Sequence, residues 1–286
     1  MKRVKRETEQ RGTPDFPFAL YNFHISAAGR TTVPVHWHPE QEILYVRQGA
    51  LEVLIDKKTF TIKENQICFV SPNALHSVVT HLPDTVYCAF VFSYDLLRMP
   101  DFHFFQTYMT EPLQAGKLAF PTVLDSGDPH FPAVSQALEQ ICLCNRTDPI
   151  YKFTVFHSLV SLYCSLHNTL VPTKAKEDAA SNQAVKTCLD YMRSHYQQHI
   201  TLEQLSQLVH LHPNYLCKLF RSYTGQTVFQ QLIRIRLENA AELLSKEGCS
   251  VSQAANLCGF ESVSFFSRKF KQIMGRSPRE YKDGLF

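Results

Sequence analysis

The 286-residue sequence lacks an apolar run at its opening, MKRVKRETEQ, where the residues are mostly basic and polar. Neither a secretory signal nor a membrane span is expected there, and the chain reads as cytoplasmic, with no membrane partner. It has no disulfide framework. Nine cysteines, an odd number, are scattered at 68, 88, 142, 144, 164, 188, 217, 249 and 258, and the only close pair is Cys142-x-Cys144. Reduced, mostly buried thiols follow from that scatter. There is a single tryptophan, Trp37, and the formal charge of +3 is small for this length. No catalytic arrangement stands out, so no catalytic residue, no metal and no cofactor is assigned.

What is present begins with an uneven distribution of charge. Residues 1–182 carry 16 Lys and Arg against 18 Asp and Glu, whereas residues 183–286 carry 13 against 8. A basic C-terminal third behind a slightly acidic remainder predicts that only the tail meets a polyanion. Between them, residues 171–182 lose apolar periodicity and read as a linker. Residues 131–144 and 149–168 carry apolar residues at three- and four-residue intervals and predict two helices. Their stripe of Val155, Leu159, Leu162, Tyr163 and Leu166 can cover a sheet, make a two-fold dimer contact, or do both. Earlier, the pieces ILYV, LEVLI, FTI, ICFV and VYCAFVF predict short strands of a small barrel or sandwich.

The C-terminal region repeats itself. Leu202, Leu205 and Val209 correspond to Val251, Ala254 and Cys258 at a separation of 49, and Tyr215, Lys218, Phe220 and Gly225 to Phe265, Arg268, Phe270 and Gly275 at 50. Each copy reads as a short helix, a break and a second helix ended by glycine, which is a helix-turn-helix. The second helices put Leu216, Leu219, Phe220, Phe266 and Phe270 on one side. Asn214, Cys217, Lys218 and Arg221 in the first copy, and Val263, Ser264, Ser267, Arg268 and Lys271 in the second, are left on the other. Hydrogen-bonding and cationic groups on a helix that fits a major groove point to double-stranded DNA.

Residues 200–282 resemble the DNA-binding domain of the AraC/XylS family of bacterial transcription regulators, through ITLEQLSQLVHLHPNYLCKLF and VSQAANLCGFESVSFFSRKF. The family usually has alanine where Ser206 stands, glycine where His210 stands, and often arginine where Lys218 stands. The resemblance implies two helix-turn-helix units joined by a long helix at about 227–246, promoter DNA and RNA polymerase as partners, a homodimer, and activation more than repression.

The N-terminal region resembles the cupin-type effector-binding barrel of many such regulators. His36-x-His38-x3-Glu42-x6-Gly49 reproduces the first cupin motif, and SPNALH, ending in His76, resembles the second. In cupin enzymes the matching residues bind a metal. Here three uses stay open for His36, His38, Glu42 and His76: a pocket for a small effector, with sugars heading the candidates; a metal site in an enzyme or sensor; or a structural set. The effector pocket is the expectation, with Tyr45, His81 and Tyr87 as weaker candidates, and strand alternation predicts both histidines on one face with Trp37 on the other. The expected fold is α+β: an arm at 1–16, a cupin-like barrel at 17–125, a helical dimerisation element at 126–170, the linker, and an all-α domain at 183–286.

Overall fold

Short runs in which apolar side chains alternate between two faces must bury both faces when each is hydrophobic, and this dictates the N-terminal layers. In the computed structural model, which describes residues 11–26, 30–98, 103–173, 179–245 and 249–284 and only the backbone of residues 30–32, the strands form two antiparallel sheets. One runs β1 (Phe18–Ile25), β8 (Thr85–Phe92), β3 (Gln41–Gln48), β6 (Gln66–Val70), β10 (Val123–Leu124). The other runs β2 (Arg30–His36), β7 (His76–Thr80), β4 (Ala50–Ile55), β5 (Lys58–Lys63).

Leu44 and Val46 of β3 join Leu51, Val53, Ile62, Val70, Val78 and Tyr87 in a core drawn from both sheets. The alternate residues Ile43 and Tyr45 belong to a second core, with Phe90 and Phe92 of β8 and two helices, α3 (Phe131–Leu143) and α4 (Tyr151–Leu166). Glu42 precedes Leu44 by two, so the register that fills the inter-sheet core carries Glu42 into it.

The stripe on α4 covers this sheet. Val155, Leu159, Leu162, Tyr163 and Leu166 are fully buried in the second core, and Tyr163 meets Phe92, Tyr94 and Phe120 edge-on. Each such side chain contributes about 1.5–3 kcal/mol by leaving water. A dimer contact through that stripe would require uncovering the sheet. Before α3, two short helices, α1 (His103–Phe105) and α2 (Glu111–Gln114), flank a π-type turn at Gln106–Thr110, and β9 (Leu118–Ala119) pairs with β11 (Val171–Pro172).

Both ends of the stretch read as a linker, 171–182, lie in regular elements. Val171–Pro172 is the paired strand β11, and α5 (Ala179–His195) has already begun at residue 179; residues 174–178 lie outside the described set. The first turns of α5 are polar, and its buried residues start at Val185, so a helix without apolar periodicity at its entrance reads as linker. The chain divides into two compact units at residues 177 and 178.

In the second unit α6 (Leu202–Leu208) and α7 (Pro213–Thr224) form one helix pair, α8 (Val228–Leu244) follows, and α9 (Val251–Leu257) and α10 (Val263–Met274) form the other, ahead of α11 (Pro278–Lys282). The starts of α6 and α9 are 49 apart and those of α7 and α10 are 50 apart, so the repeat is structural. Local chemistry sets the boundaries. Thr201 with Gln204, Thr227 with Gln230, Ser250 with Gln253 and Ser277 with Glu280 make reciprocal capping boxes, and Gly225 and Gly275 end α7 and α10 in the left-handed conformation. Leu237, Ala240, Ala241 and Leu244 of α8 pack with Ala254, Ala255, Cys258, Phe260, Phe266 and Phe270, while Ile233 is half-buried beside them. Val228, Leu232 and Ile235 of α8 are buried too. Among the described residues no helix is long and apolar enough to cross a membrane.

Candidate functional site

On α7 the entry is fixed by His212, whose Nδ1 accepts from the Asn214 amide at 3.3 Å, and by Pro213 in the first turn. Leu216, Leu219 and Phe220 are buried, so the opposite surface must hold Asn214, Cys217, Lys218 and Arg221; all four are exposed. α10 follows the same plan. Ser262 caps it by accepting from the Phe265 amide at 3.2 Å, Phe266 and Phe270 are buried, Val263, Ser264, Arg268 and Lys271 are exposed, and Ser267 is half-buried.

Two features escaped the sequence reading. Tyr215 is exposed on the same helix as Lys218, a flat ring able to pack on sugar and phosphate edges. The Arg268 guanidinium lies over the Phe265 ring, 5.6 Å from its centroid, which restrains this exposed cation. Neither contact follows from helical periodicity, because rotamer choice decides it. Lys269, by contrast, donates to Gln272 Oε1 at 3.1 Å, and both line a cavity of about 290 Å³ with Gly225, Gln226, Gln230, Ile233, Arg234 and Ile273.

In the first unit, one nitrogen or oxygen from each of His36, His38, Glu42 and His76 lies within 4.8 Å of the others. The expected alternation does not produce this. β2 ends at His36, so Trp37 and His38 lie in the following loop, whose geometry is fixed when the Asn73 amide donates to the His38 carbonyl at 2.8 Å. β3 supplies Glu42, and β7 supplies His76, paired with His36 in the β2–β7 register.

The rings are oriented by backbone. Nδ1 of His36 lies 2.9 Å from the Pro34 carbonyl, Nδ1 of His38 lies 3.2 Å from that of Glu40, and Nδ1 of His76 lies 2.9 Å from that of Ala74. A carbonyl only accepts, so each Nδ1 carries its hydrogen and each neutral ring presents an Nε2 lone pair. Yet Glu42 Oε2 stands 3.0 Å from Nε2 of both His38 and His76. Two lone pairs cannot face a carboxylate oxygen in a buried site unless a second proton or a cation lies between them. Burial pushes the Glu42 carboxyl up, but once His38 and His76 carry their second protons the hydrogen bonds these rings donate outweigh it and hold the group well below the usual carboxylate range. Burial pushes His38 down, but hydrogen bonds to Glu40 and Glu42 raise it above the ordinary histidine value. His36, governed by burial and by its neighbour His76, is held well below that value. The set is a tight nitrogen and oxygen cluster of the kind that holds a divalent ion.

The weaker pocket candidates lie elsewhere. Tyr45 is buried in the core against α3 and α4, Tyr87 stacks on Phe23 at 4.6 Å in the inter-sheet core, and His81 sits exposed beside Glu52 at 3.3 Å.

Residues 205–284 match a helix-turn-helix domain model and residues 23–92 match a cupin domain model. An uncharacterized HTH-type transcriptional regulator of Bacillus subtilis (strain 168), YdeC, is 23% identical over 98% of this chain and 96% of its own length. The HTH-type transcriptional activator RhaS of Enterobacter sp. (strain 638) is 26% identical over 88% of each. The probable transcriptional regulator LumQ of Photobacterium leiognathi is 37% identical over 32% of this chain and 38% of its own. With two helix-turn-helix units carrying exposed cations, a cupin module ahead of them, and relatives over most of its length that are named as HTH-type transcriptional regulators, the chain has the domain organisation of a cupin-containing, AraC-type DNA-binding transcriptional regulator.

Proposed function

We propose that the chain is an effector-responsive activator of transcription, in which the state of the His36, His38, Glu42 and His76 cluster governs how α7 and α10 engage promoter DNA. The observation that carries the sensor half is the lone-pair conflict at Glu42: three rings whose Nδ1 hydrogens are spent on carbonyls converge with a carboxylate within 4.8 Å. A first-row divalent ion resolves that conflict, and the same carbonyl bonds would fix the tautomers that ligation needs. This departs from the sequence reading, which assigned no metal.

The four side chains would hold the ion, and the ion would supply open coordination positions. A hydroxylated effector such as a sugar would be held through its oxygens at such an ion. Activation is supported by the relative named an activator, and implies contact with RNA polymerase in the cytoplasm. A homodimer would use the exposed Leu143, Ile150 and Phe153 of the α3–α4 end rather than the covered stripe. It would place two double readers on repeated half-sites.

The test is cobalt(II) titration of chelator-stripped protein, read by visible absorption, by Trp37 fluorescence and by promoter DNA binding. One ion per chain, lost in His76→Ala, with an altered DNA affinity is expected. Stripped protein that takes up no ion and still responds fully to an effector would remove the metal reading.

A further inference from the structure

Cys88 on β8 and Cys142 in the last turn of α3 lie 54 residues apart in sequence, yet their sulfurs are 3.8 Å apart. Cys88 is fully buried in the core beneath α3 and α4, and its Sγ also lies 3.1 Å from Asn22 Oδ1 on β1. Cys142 is half-buried at the rim of the same core. Arg47 on β3 forms a two-pronged ion pair with Glu139, one turn before Cys142 on α3, so a guanidinium stands next to the pair on the sheet side. The arrangement differs from the other thiols: Cys68 and Cys188 are buried, Cys258 is buried in the same core as the half-buried Cys249, and Cys164 and Cys217 are exposed.

A disulfide needs sulfurs about 2.05 Å apart, so closure asks for less than 2 Å of approach from a side chain at a helix end. We propose that Cys88 and Cys142 are an oxidisable dithiol, closed to a disulfide by hydrogen peroxide and tying β8 to α3. The Cys142 S–H directed at Cys88 holds the Cys88 thiol below its ordinary value against the opposing effect of burial, with Arg47 assisting, which favours Cys88 as the attacking sulfur. In the first step the Cys88 thiolate attacks one peroxide oxygen, the O–O bond breaks, and the departing hydroxide takes up the proton Cys88 released, leaving a sulfenic acid and one water. In the second the Cys142 sulfur attacks the Cys88 sulfur, the S–O bond breaks, and the hydroxide leaves with the Cys142 proton as a second water. Two thiols and one peroxide give one disulfide and two waters; the peroxide is reduced by two electrons and the dithiol is oxidised by two. A small dithiol returns the pair to two thiols by exchange, its own two thiols being oxidised to a disulfide.

The experiment uses the full chain, reduced, then exposed to a slight excess of hydrogen peroxide. Free thiols are blocked at intervals and the oxidised ones mapped by mass spectrometry after reduction and a second label. The expected result is loss of two thiols per chain, at 88 and 142, at least tenfold faster than at the exposed Cys164 and Cys217. Cys142→Ser should instead accumulate a dimedone-reactive sulfenic acid at Cys88. Oxidation that falls first on Cys164 and Cys217, or that joins Cys142 to Cys144, overturns the proposal. Because the map is made on the unaltered protein, a variant that folds poorly does not decide the outcome.

Discussion

His76 Nε2 lies 3.0 Å from Glu42 Oε2, although 34 residues separate them, and the other nitrogen of that ring is tied to the Ala74 carbonyl. The contact holds only while something positive occupies it. Glu42→Gln keeps the shape and removes the anion, so the affinity of the stripped protein for cobalt(II) should fall by about tenfold or more. Equal affinity in calorimetry would show that Glu42 is not a ligand.

The same substitution has a pH signature. The folded Glu42 is held well below the usual carboxylate range, so its contribution is complete above the unfolded value and is lost as pH falls through the depressed folded one. The stability difference between the parent chain and Glu42→Gln, measured metal-free by denaturant titration, should be largest between about pH 4.5 and the raised value of His38, and shrink in stronger acid as Glu42 is protonated and at higher pH as His38 loses its proton. A difference that grew with acid below that range would reverse the sign and refute the assignment.

Lys218 and Arg268 occupy equivalent exposed positions on α7 and α10. Replacing either with Ala should cost about 1–3 kcal/mol of specific DNA affinity with little change on random sequence. Arg221 and Lys271, one turn further on, should when removed weaken all sequences alike and flatten the salt dependence by about one charge each. Band-shift titrations at several salt concentrations separate the two behaviours, and unchanged operator binding in both Lys218→Ala and Arg268→Ala would displace these helices as the readers.

Phe260 is packed against Phe266 at 5.1 Å and beneath the Arg236 guanidinium at 5.9 Å. Phe260→Ala should destabilise the second unit by about 3–5 kcal/mol, the range for aromatic truncation in a core. An unchanged unfolding midpoint would contradict the packing.

The two copies differ at their turns. Gly259 sits at φ +78°, and a Cβ there would stand 2.7 Å from the Gln197 carbonyl oxygen; its counterpart His210 adopts φ +54° with a side chain attached. His210→Gly should therefore stabilise the unit by about 1 kcal/mol, whereas Gly259→Ala should destabilise it by about 2 kcal/mol or more. Denaturant midpoints that moved the same way for both would sink the comparison.

Much of the second unit was legible in its residues because its determinants are local. The four capping boxes join residues three apart, the glycine C-caps act at one position, and the buried side of each helix repeats every three or four residues. Such signals survive without knowledge of the rest of the chain. The entrance to α5 was missed for the same reason: its first turns hold only alanine as apolar residues and bury none of them in a core that periodicity could register.

The sequence by itself determined the helix-turn-helix repeat and the faces of α7 and α10, since each depends on spacing within one segment, and the resemblance of two separate motifs to those of cupins singled out the four cluster residues. Tertiary structure alone decided that the α4 stripe lies on the sheet, that His38 reaches Glu42 from a loop rather than a strand, and that Cys88 meets Cys142 and not Cys144 beside it. Those contacts join residues on different elements, and their distances are set by strand register and helix docking, which no single stretch of residues encodes.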